Sequence, residues 1–138
     1  WSRGLGDVYK RQITYYQINR LMPAQSLLLL SNTSAPSVDS STFSHGDAVR
    51  SNGYYNLGSG LHTVVFLLDT FKGYVKLQGT LAVEPTDSDW FDIQDAQLDC
   101  TDSTILVSEY RNFYGNFVWI RAAYNLTNGS IREIRYNY

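Results

Sequence analysis

The sequence predicts an all-β domain, an antiparallel β-sandwich with a jelly-roll-like arrangement of strands. Short segments rich in β-branched and aromatic residues alternate with turn residues, and no window has an apolar stripe with helical spacing. Aromatic residues make up 14% of the 138 residues and charged residues only 17%, which excludes a disordered tail or a coiled coil. This length is sufficient for one domain with its own core.

Eight strands are predicted, each from a run of apolar or aromatic residues bounded by turn residues. They cover residues 13–18, 26–31, 62–69, 73–82, 90–93, 104–110, 116–125 and 130–137. The segment 31–56 is rich in Ser, Asn, Asp and Gly, so we expect most of it to be a long surface connection. Asn128 and Gly129 favour a type I′ turn, which predicts a hairpin between the last two strands.

The first twelve residues are expected to be an artefact. The stretch from Ser2 to Gln12 corresponds, codon by codon, to a transposon-library sequencing adapter read in frame. We therefore assign residues 1–12 to the adapter and residues 13–138 to one β-sandwich domain, which we expect to be truncated at its N-terminus. Without the adapter, eight basic and twelve acidic residues remain, a net charge of about −4, which does not favour nucleic-acid binding.

Two predicted strands have similar sequences, FKGYVKL at 71–77 and FYGNFVW at 113–119. The first strand alternates apolar and polar residues, which gives it one core face and one solvent face. By analogy, Phe117 and Trp119 point into the core. Three apolar residues then lie on the opposite face, where a loop of the same domain or a partner subunit must cover them: Val118, Ile120 and Tyr124.

No pattern of residues marks a catalytic centre. The sequence lacks a P-loop, a dinucleotide fingerprint, Cys/His zinc spacing and a Gly-x-Ser-x-Gly elbow. Cys100 has no basic neighbour in sequence that would activate a thiolate, and we expect His62 to be structural. We predict no enzymatic activity, no catalytic residue and no cofactor.

The acidic stretch from Glu84 to Asp102 contains seven carboxylates without a Lys or Arg between them. We interpret it as a solvated loop and predict no metal site. Because carboxylates are the ligands that Ca²⁺ prefers, a divalent-ion site in this loop stays open as an alternative.

Tyrosines are abundant, with 11 in the chain. Rings with a polar edge suit sugar faces and protein interfaces alike, although tyrosine is also common in strands because of its β propensity. A platform for glycans would use four of them: Tyr54, Tyr55, Tyr110 and Tyr114.

Three motifs in order along the chain resemble domains of tailed-phage virion proteins of the marine myovirus type. They are GYVKLQGTL at 73–81, EPTDSDWFDI at 84–93 and GNFVWIRA at 115–122, within a similarity that covers residues 62–138. The resemblance implies a β-sandwich in the neck, baseplate or tail-fibre region of a virion, with no catalytic residues to transfer. The core anchors of such a domain would be Trp90, Phe91, Phe117 and Trp119.

The leading expectation is therefore a non-enzymatic virion structural protein that assembles with itself or with other virion proteins through Val118, Ile120 and Tyr124. The alternative is a carbohydrate-binding β-sandwich for host or surface glycans. Neither function involves nucleic acid or a membrane, and the longest apolar run, Leu27 to Leu30, is too short for a membrane span. Arg121, placed among apolar neighbours, is expected to pair with a carboxylate, either Asp89 or Asp92.

Overall fold

The computed structural model of the chain describes residues 26–34, 43–57, 60–100 and 108–138. Within these ranges the chain forms seven strands, paired antiparallel, and one 3-10 turn, which confirms the all-β, sandwich-like fold class. The strands are β1 Leu27–Thr33, β2 Ser44–His45, β3 Val49–Arg50, β4 Leu61–Thr80, β5 Phe91–Asp99, β6 Ser108–Tyr114 and β7 Trp119–Asn137, and the 3-10 turn covers Asp87–Asp89. The adapter segment 1–12 and the predicted strand 13–18 lie outside the described residues.

Two long strands, β4 and β7, form the centre of the sheet and pair with each other from Thr63 opposite Asn137 to Thr80 opposite Trp119. Each strand has different neighbours along its two halves. The first half-sheet has the order β1, β7, β4 and β6. The second half-sheet has β2 and β3, then β7, β4 and β5.

The two long strands bend together where the half-sheets meet. Their register shifts between Leu67 and Gly73, and Thr70, Gly73 and Gly129 have φ angles of 47°, 140° and 77°. On β4 the buried residues are even-numbered over 62–68 and odd-numbered over 71–79, so the bend exchanges the two faces of the strand. Side chains from both half-sheets form one apolar core, and the sheet is thereby folded into a sandwich.

The predicted hairpin at Asn128 and Gly129 is wrong. Strand β7 continues through both residues, and Asn128 lies opposite Lys72 of β4. The positive φ of Gly129 serves to bend a long strand instead of reversing it. The chain continues as a strand here because of tertiary structure: β4 is long enough to pair with both halves of β7. The same pairing merges the predicted strands 62–69 and 73–82 into β4.

The segment 31–56 contains more strand than predicted. Strand β1 extends to Thr33, and the short strands β2 and β3 pair with the N-terminal part of β7. Residues 35–42 of this segment lie outside the described residues. Among the residues that the structure describes, no helix is long and apolar enough to cross a membrane.

Of the four predicted core anchors, Phe117 is buried in the core. Phe91 is 42% exposed, and Trp90 and Trp119 are half-buried, so these three predictions are wrong. Trp119 lies opposite Thr80 on the outer side of the second half-sheet, next to Arg50 of β3.

The predicted assembly face of Val118, Ile120 and Tyr124 is also wrong. Ile120 is fully buried, Tyr124 packs against the core, and Val118 is half-buried. The alternation inferred from Phe117 does not continue into β7, because the strand begins at Trp119 and Phe117 reaches the core from the loop before it. The side chains of this set are therefore covered within the domain.

Candidate functional site

The outer face of the second half-sheet contains four adjacent polar side chains. Gln78 of β4 lies opposite Arg121 of β7 on one side and Asp92 of β5 on the other, and Lys76 lies two residues from Gln78. Alternation along a strand places residues two apart on the same face. These four residues, the polar row, therefore share one surface although three different strands supply them.

Hydrogen bonds link the polar row from end to end. Arg121 Nε donates to Gln78 Oε1 at 2.9 Å, and Gln78 Nε2 donates to Asp92 Oδ1 at 2.9 Å. Lys76 Nζ donates to the other carboxylate oxygen, Asp92 Oδ2, also at 2.9 Å. Burial alone would raise the pKa of Asp92, but the hydrogen bonds from Gln78 and Lys76 outweigh it and lower the pKa. Asp92 is thus held as an oriented carboxylate.

Arg121 stacks on an aromatic ring instead of pairing directly with a carboxylate. Its Cζ atom lies 4.2 Å from the centre of the Trp90 ring. The predicted partners are not in contact with it, since Asp89 accepts hydrogen bonds from Thr86 and Asp92 is reached through Gln78. Burial lowers the pKa of the Arg121 guanidinium, and the nearby charge of Asp87 acts in the opposite direction.

A second arginine, Arg50, lies on the neighbouring strand and on the same face as Arg121. Arg50 of β3 is opposite Trp119, and Arg121 is two residues further along β7. The two Cα atoms are therefore about 7–8 Å apart, the usual diagonal spacing between paired strands. Arg50 Cζ lies 4.6 Å from the centre of the Tyr54 ring and 5.6 Å from that of Trp119. Arg50 and Arg121, the arginine pair, are thus both supported by aromatic rings.

At the other end of the polar row, Lys76 Nζ lies 4.0 Å from the centre of the Phe43 ring. Phe43 in turn contacts Tyr74, with ring centres 6.3 Å apart. These side chains line a cleft of about 300 Å³ together with residues of β5. Aromatic rings therefore flank the polar row at both ends.

The structure divides the predicted glycan platform between two surfaces. Tyr54 and Tyr55 make an edge-to-face contact at 5.3 Å, and Tyr54 also contacts Trp119 at 5.5 Å. Tyr110 and Tyr114 lie on β6, in the first half-sheet. Among the described residues, no ring contact joins them to Tyr54 or Tyr55.

The outer face of the first half-sheet combines apolar and polar side chains. Tyr110 lies opposite Val65 and Tyr114 opposite Leu61, and alternation places both pairs on the face that points away from the core. The ion pair between Arg135 and Glu133 lies on the same face, with Arg135 opposite Val65. The apolar members of this surface, the first outer face, are Leu28, Leu61, Val65, Leu67, Tyr110 and Tyr114.

A buried polar network lies at one end of the sandwich. The Gly115 carbonyl can only accept, so His62 Nε2 donates to it at 2.9 Å and Nδ1 carries no proton. His62 Nδ1 then accepts from the Tyr136 hydroxyl at 2.5 Å, and the Tyr136 oxygen accepts from Ser51 Oγ at 2.5 Å. Asn52 Nδ2 donates to the same Gly115 carbonyl at 3.0 Å. The Ser51 hydroxyl also lies 3.3 Å from Asn52 Oδ1, so its proton is shared between two acceptors.

This network has the residue types of a nucleophilic site but not its arrangement. A serine nucleophile needs a base that takes its proton, whereas Ser51 donates to a phenol. Ser51, His62 and Tyr136 are at most 1% exposed. Burial lowers the pKa of His62 and raises that of Tyr136, which keeps both side chains neutral near pH 7. The network therefore fits the structural role predicted for His62.

Among the residues that the structure describes, the remaining cysteine and acidic side chains are not gathered into a site. Cys100 is fully buried, as expected of an unreactive thiol, and burial raises its pKa, followed by the charges of Asp99 and Glu109. Within the part of the acidic stretch that the structure describes, Thr86 and Asp89 form a capping box around the 3-10 turn. No group of three or more His, Cys, Asp or Glu residues among the described ones could hold a metal ion.

The fold and its surfaces define an all-β, sandwich-like domain. One outer face contains the polar row and its flanking aromatic rings, and the other contains a group of exposed apolar and aromatic side chains among polar ones. Comparisons of the chain with protein-family models, with curated proteins and with solved structures give no match.

Proposed function

We propose that the chain is a non-enzymatic structural domain of a tailed-phage virion that assembles with copies of itself or with other particle proteins. The main support for this proposal is the exposure of apolar and aromatic side chains on the first outer face. Its most exposed side chains are Leu28 at 46%, Leu61 at 45%, Tyr110 at 63% and Tyr114 at 75%. Exposed apolar and aromatic residues gathered on one sheet face are typical of a surface that another protein covers.

Polar groups on the first outer face would orient a partner. Arg135 and Glu133 form an ion pair at 2.8 Å, and Thr63 Oγ1 donates to Asn112 Oδ1 at 2.7 Å. Exposed polar pairs of this kind contribute little affinity, but they disfavour partners whose charges do not match. The apolar side chains supply the area for association, and the polar pairs favour one orientation of the partner. The resemblance of residues 62–138 to virion domains supports the same function.

Light scattering across a concentration series tests the proposal. The wild-type chain is expected to reach a mass that is a multiple of 15.7 kDa. The double variant Leu61→Ser, Tyr114→Ser is expected to shift the mass toward the monomer. Leu81→Ser is the matched control, because Leu81 is 65% exposed but lies outside the first outer face. A monomer at every concentration would contradict self-assembly, and an unchanged mass in the double variant would contradict the choice of surface.

Carbohydrate binding is the second candidate, and a different observation favours it. Tyr54 and Tyr55 are 39% and 48% exposed, and they lie with Trp119 at the edge of the outer face that contains the polar row. Exposed rings beside fixed hydrogen-bonding groups can stack on sugar rings and bind their hydroxyls. In a glycan screen, Tyr55→Ala is expected to abolish binding, while Tyr114→Ala, on the opposite half-sheet, is expected to leave it unchanged.

A further inference from the structure

We infer that the arginine pair is a binding site for a carboxylate-bearing saccharide, such as a uronate within an oligosaccharide. The inference rests on the second candidate function, glycan binding, and specifies the chemical class of the glycan. It does not depend on assembly through the first outer face.

The two arginines differ from three other cations among the described residues. Lys76, Arg111 and Arg135 each form an ion pair with a carboxylate. Among the described residues, neither Arg50 nor Arg121 has such a partner. Arg121 uses only its Nε atom, to Gln78, and Arg50 contacts aromatic rings alone. The Nη groups of both side chains are therefore available to a ligand.

Aromatic rings orient these unused donors. Arg50 lies over Tyr54 and Arg121 over Trp90. A guanidinium that rests on a ring directs its N–H groups outward in its own plane, where they match the two oxygens of a carboxylate. Such stacking also reduces the side-chain freedom that would be lost on binding. The site is thus organised before a ligand arrives.

Electrostatics favour an anion at this position. Arg50 and Arg121 are like charges on neighbouring strands, and their Cα atoms are about 7–8 Å apart. Arg121 is partly buried, and Asp87 influences it without coming within ion-pair distance. A carboxylate on this face would be attracted by both positive charges and could accept hydrogen bonds from the free Nη donors.

The surroundings of the arginine pair favour a sugar over a simple inorganic anion. Tyr54 and Tyr55 offer exposed ring surface next to Arg50. Each oxygen of Asp92 accepts one hydrogen bond within the polar row, and a carboxylate oxygen can accept another. Hydroxyl groups of a sugar can donate to this acceptor, whereas a sulfate ion has no donor to offer it. A ligand that carries both carboxylate and hydroxyl groups therefore fits both parts of the surface.

Calorimetric titration of the full chain with a trigalacturonate tests the inference. Its methyl ester, which keeps the sugar rings and removes the charge, is expected to bind at least about tenfold more weakly, because a charge-assisted bidentate contact is lost. Arg50→Gln and Arg121→Gln are each expected to weaken binding of the acid by about tenfold for the same reason. Arg132→Gln is the matched control, since Arg132 is exposed on β7 in the first half-sheet.

The outcomes separate the inference from the function on which it rests. Equal binding of the acid and its ester would overturn the acidic specificity and leave glycan binding in place. Absence of binding to both would overturn both ideas. Unchanged affinity in Arg50→Gln and Arg121→Gln, or displacement of the trigalacturonate by equimolar sulfate, would also overturn the inference. Arg50 is exposed, and among the described residues its side chain contacts only the rings of Tyr54 and Trp119, so its variant is expected to fold whatever happens at Arg121.

Discussion

The Tyr136 hydroxyl lies 2.5 Å from Nδ1 of His62, and both side chains are buried. The imidazole is also nearly parallel to the Phe113 ring, with ring centres 4.8 Å apart. A hydrogen bond enclosed by aromatic rings is strong while it is complete and costly when one partner is missing. This contact therefore ties β4 to the end of β7 more specifically than apolar packing alone.

Tyr136→Phe is expected to destabilise the domain by about 1–3 kcal/mol, because it leaves His62 Nδ1 without its buried partner and the Ser51 hydroxyl with only the longer contact to Asn52 Oδ1. Urea unfolding followed by fluorescence measures the change. Tyr114→Phe removes a hydroxyl from a residue that is 75% exposed, and it should alter the free energy of unfolding by less than about 0.5 kcal/mol. Equal stability of the two variants would show that the buried network contributes nothing specific.

Stability is expected to decline in mild acid. Burial lowers the pKa of His62 below its ordinary value of 6.5, so the unfolded chain binds a proton more readily than the folded one. The contribution of neutral His62 to the free energy of unfolding is then fully present above about pH 6.5. This contribution is lost as the pH falls from there through the folded pKa. The slope is at most about 1.4 kcal/mol per pH unit for one group.

Urea unfolding between about pH 7.5 and 5 measures this decline. His45 also has a lowered pKa, from burial first and then from the charge of Arg121, so the measurement is made in a His45→Asn background. The slope that persists in this background belongs to His62. A flat profile there would be inconsistent with a neutral, buried His62.

The strands were easier to predict from sequence than their partners. Alternation identified most strand positions, including one face of β4, because it depends only on local side-chain polarity. Asn128 and Gly129 show where local preference fails. Gly129 does adopt the positive φ that a tight turn requires, with a value of 77°. Because β7 pairs with β4 on both sides of this residue, the chain bends there and does not reverse. The identities of these two residues do not show that a continuous partner strand is available to β7.

The surfaces were harder to predict for the same reason. Arg50 and Arg121 are far apart in sequence, and only the pairing of β3 with β7 places them together. Ser51 and Tyr136 are likewise joined by tertiary structure alone. The exposed tyrosines could be found from composition, but their division between two half-sheets follows from the topology. The candidate sites therefore depend on which strands pair and on the register of that pairing, and neither could be predicted from the sequence.

Ile120→Ser is expected to unfold the domain rather than to dissociate an assembly. Ile120 is fully buried opposite Gly79, so the variant loses apolar contacts and buries a hydroxyl, at a cost of more than about 3 kcal/mol. Val118→Ser, at a half-buried position, should cost about 1 kcal/mol or less. Denaturation and light scattering together decide between the alternatives. If the Ile120→Ser variant stays folded but forms a smaller assembly than the wild type, Ile120 belongs to an assembly surface after all.

Gly73→Ala is expected to disrupt the bend on which the sandwich depends. Gly73 has a φ of 140°, a conformation that L-residues rarely adopt, and a Cβ atom there would lie 1.9 Å from the Asn125 carbonyl oxygen. Strain and overlap act together, so we expect a loss of about 3 kcal/mol or more. Gly60→Ala provides the comparison, because its φ is 69° but its nearest contact would be 3.5 Å, which leaves strain of about 1 kcal/mol.

Thermal and urea unfolding of the two glycine variants separate close packing from backbone strain. If the bend requires the approach of β7 to Gly73, Gly73→Ala unfolds at a clearly lower urea concentration than Gly60→Ala. If the two variants are equally stable, the strands have moved apart at the bend without penalty, and the close approach at Gly73 is not what folds one half-sheet over the other. The shared apolar core, with side chains from both half-sheets, would then be what holds the two half-sheets together.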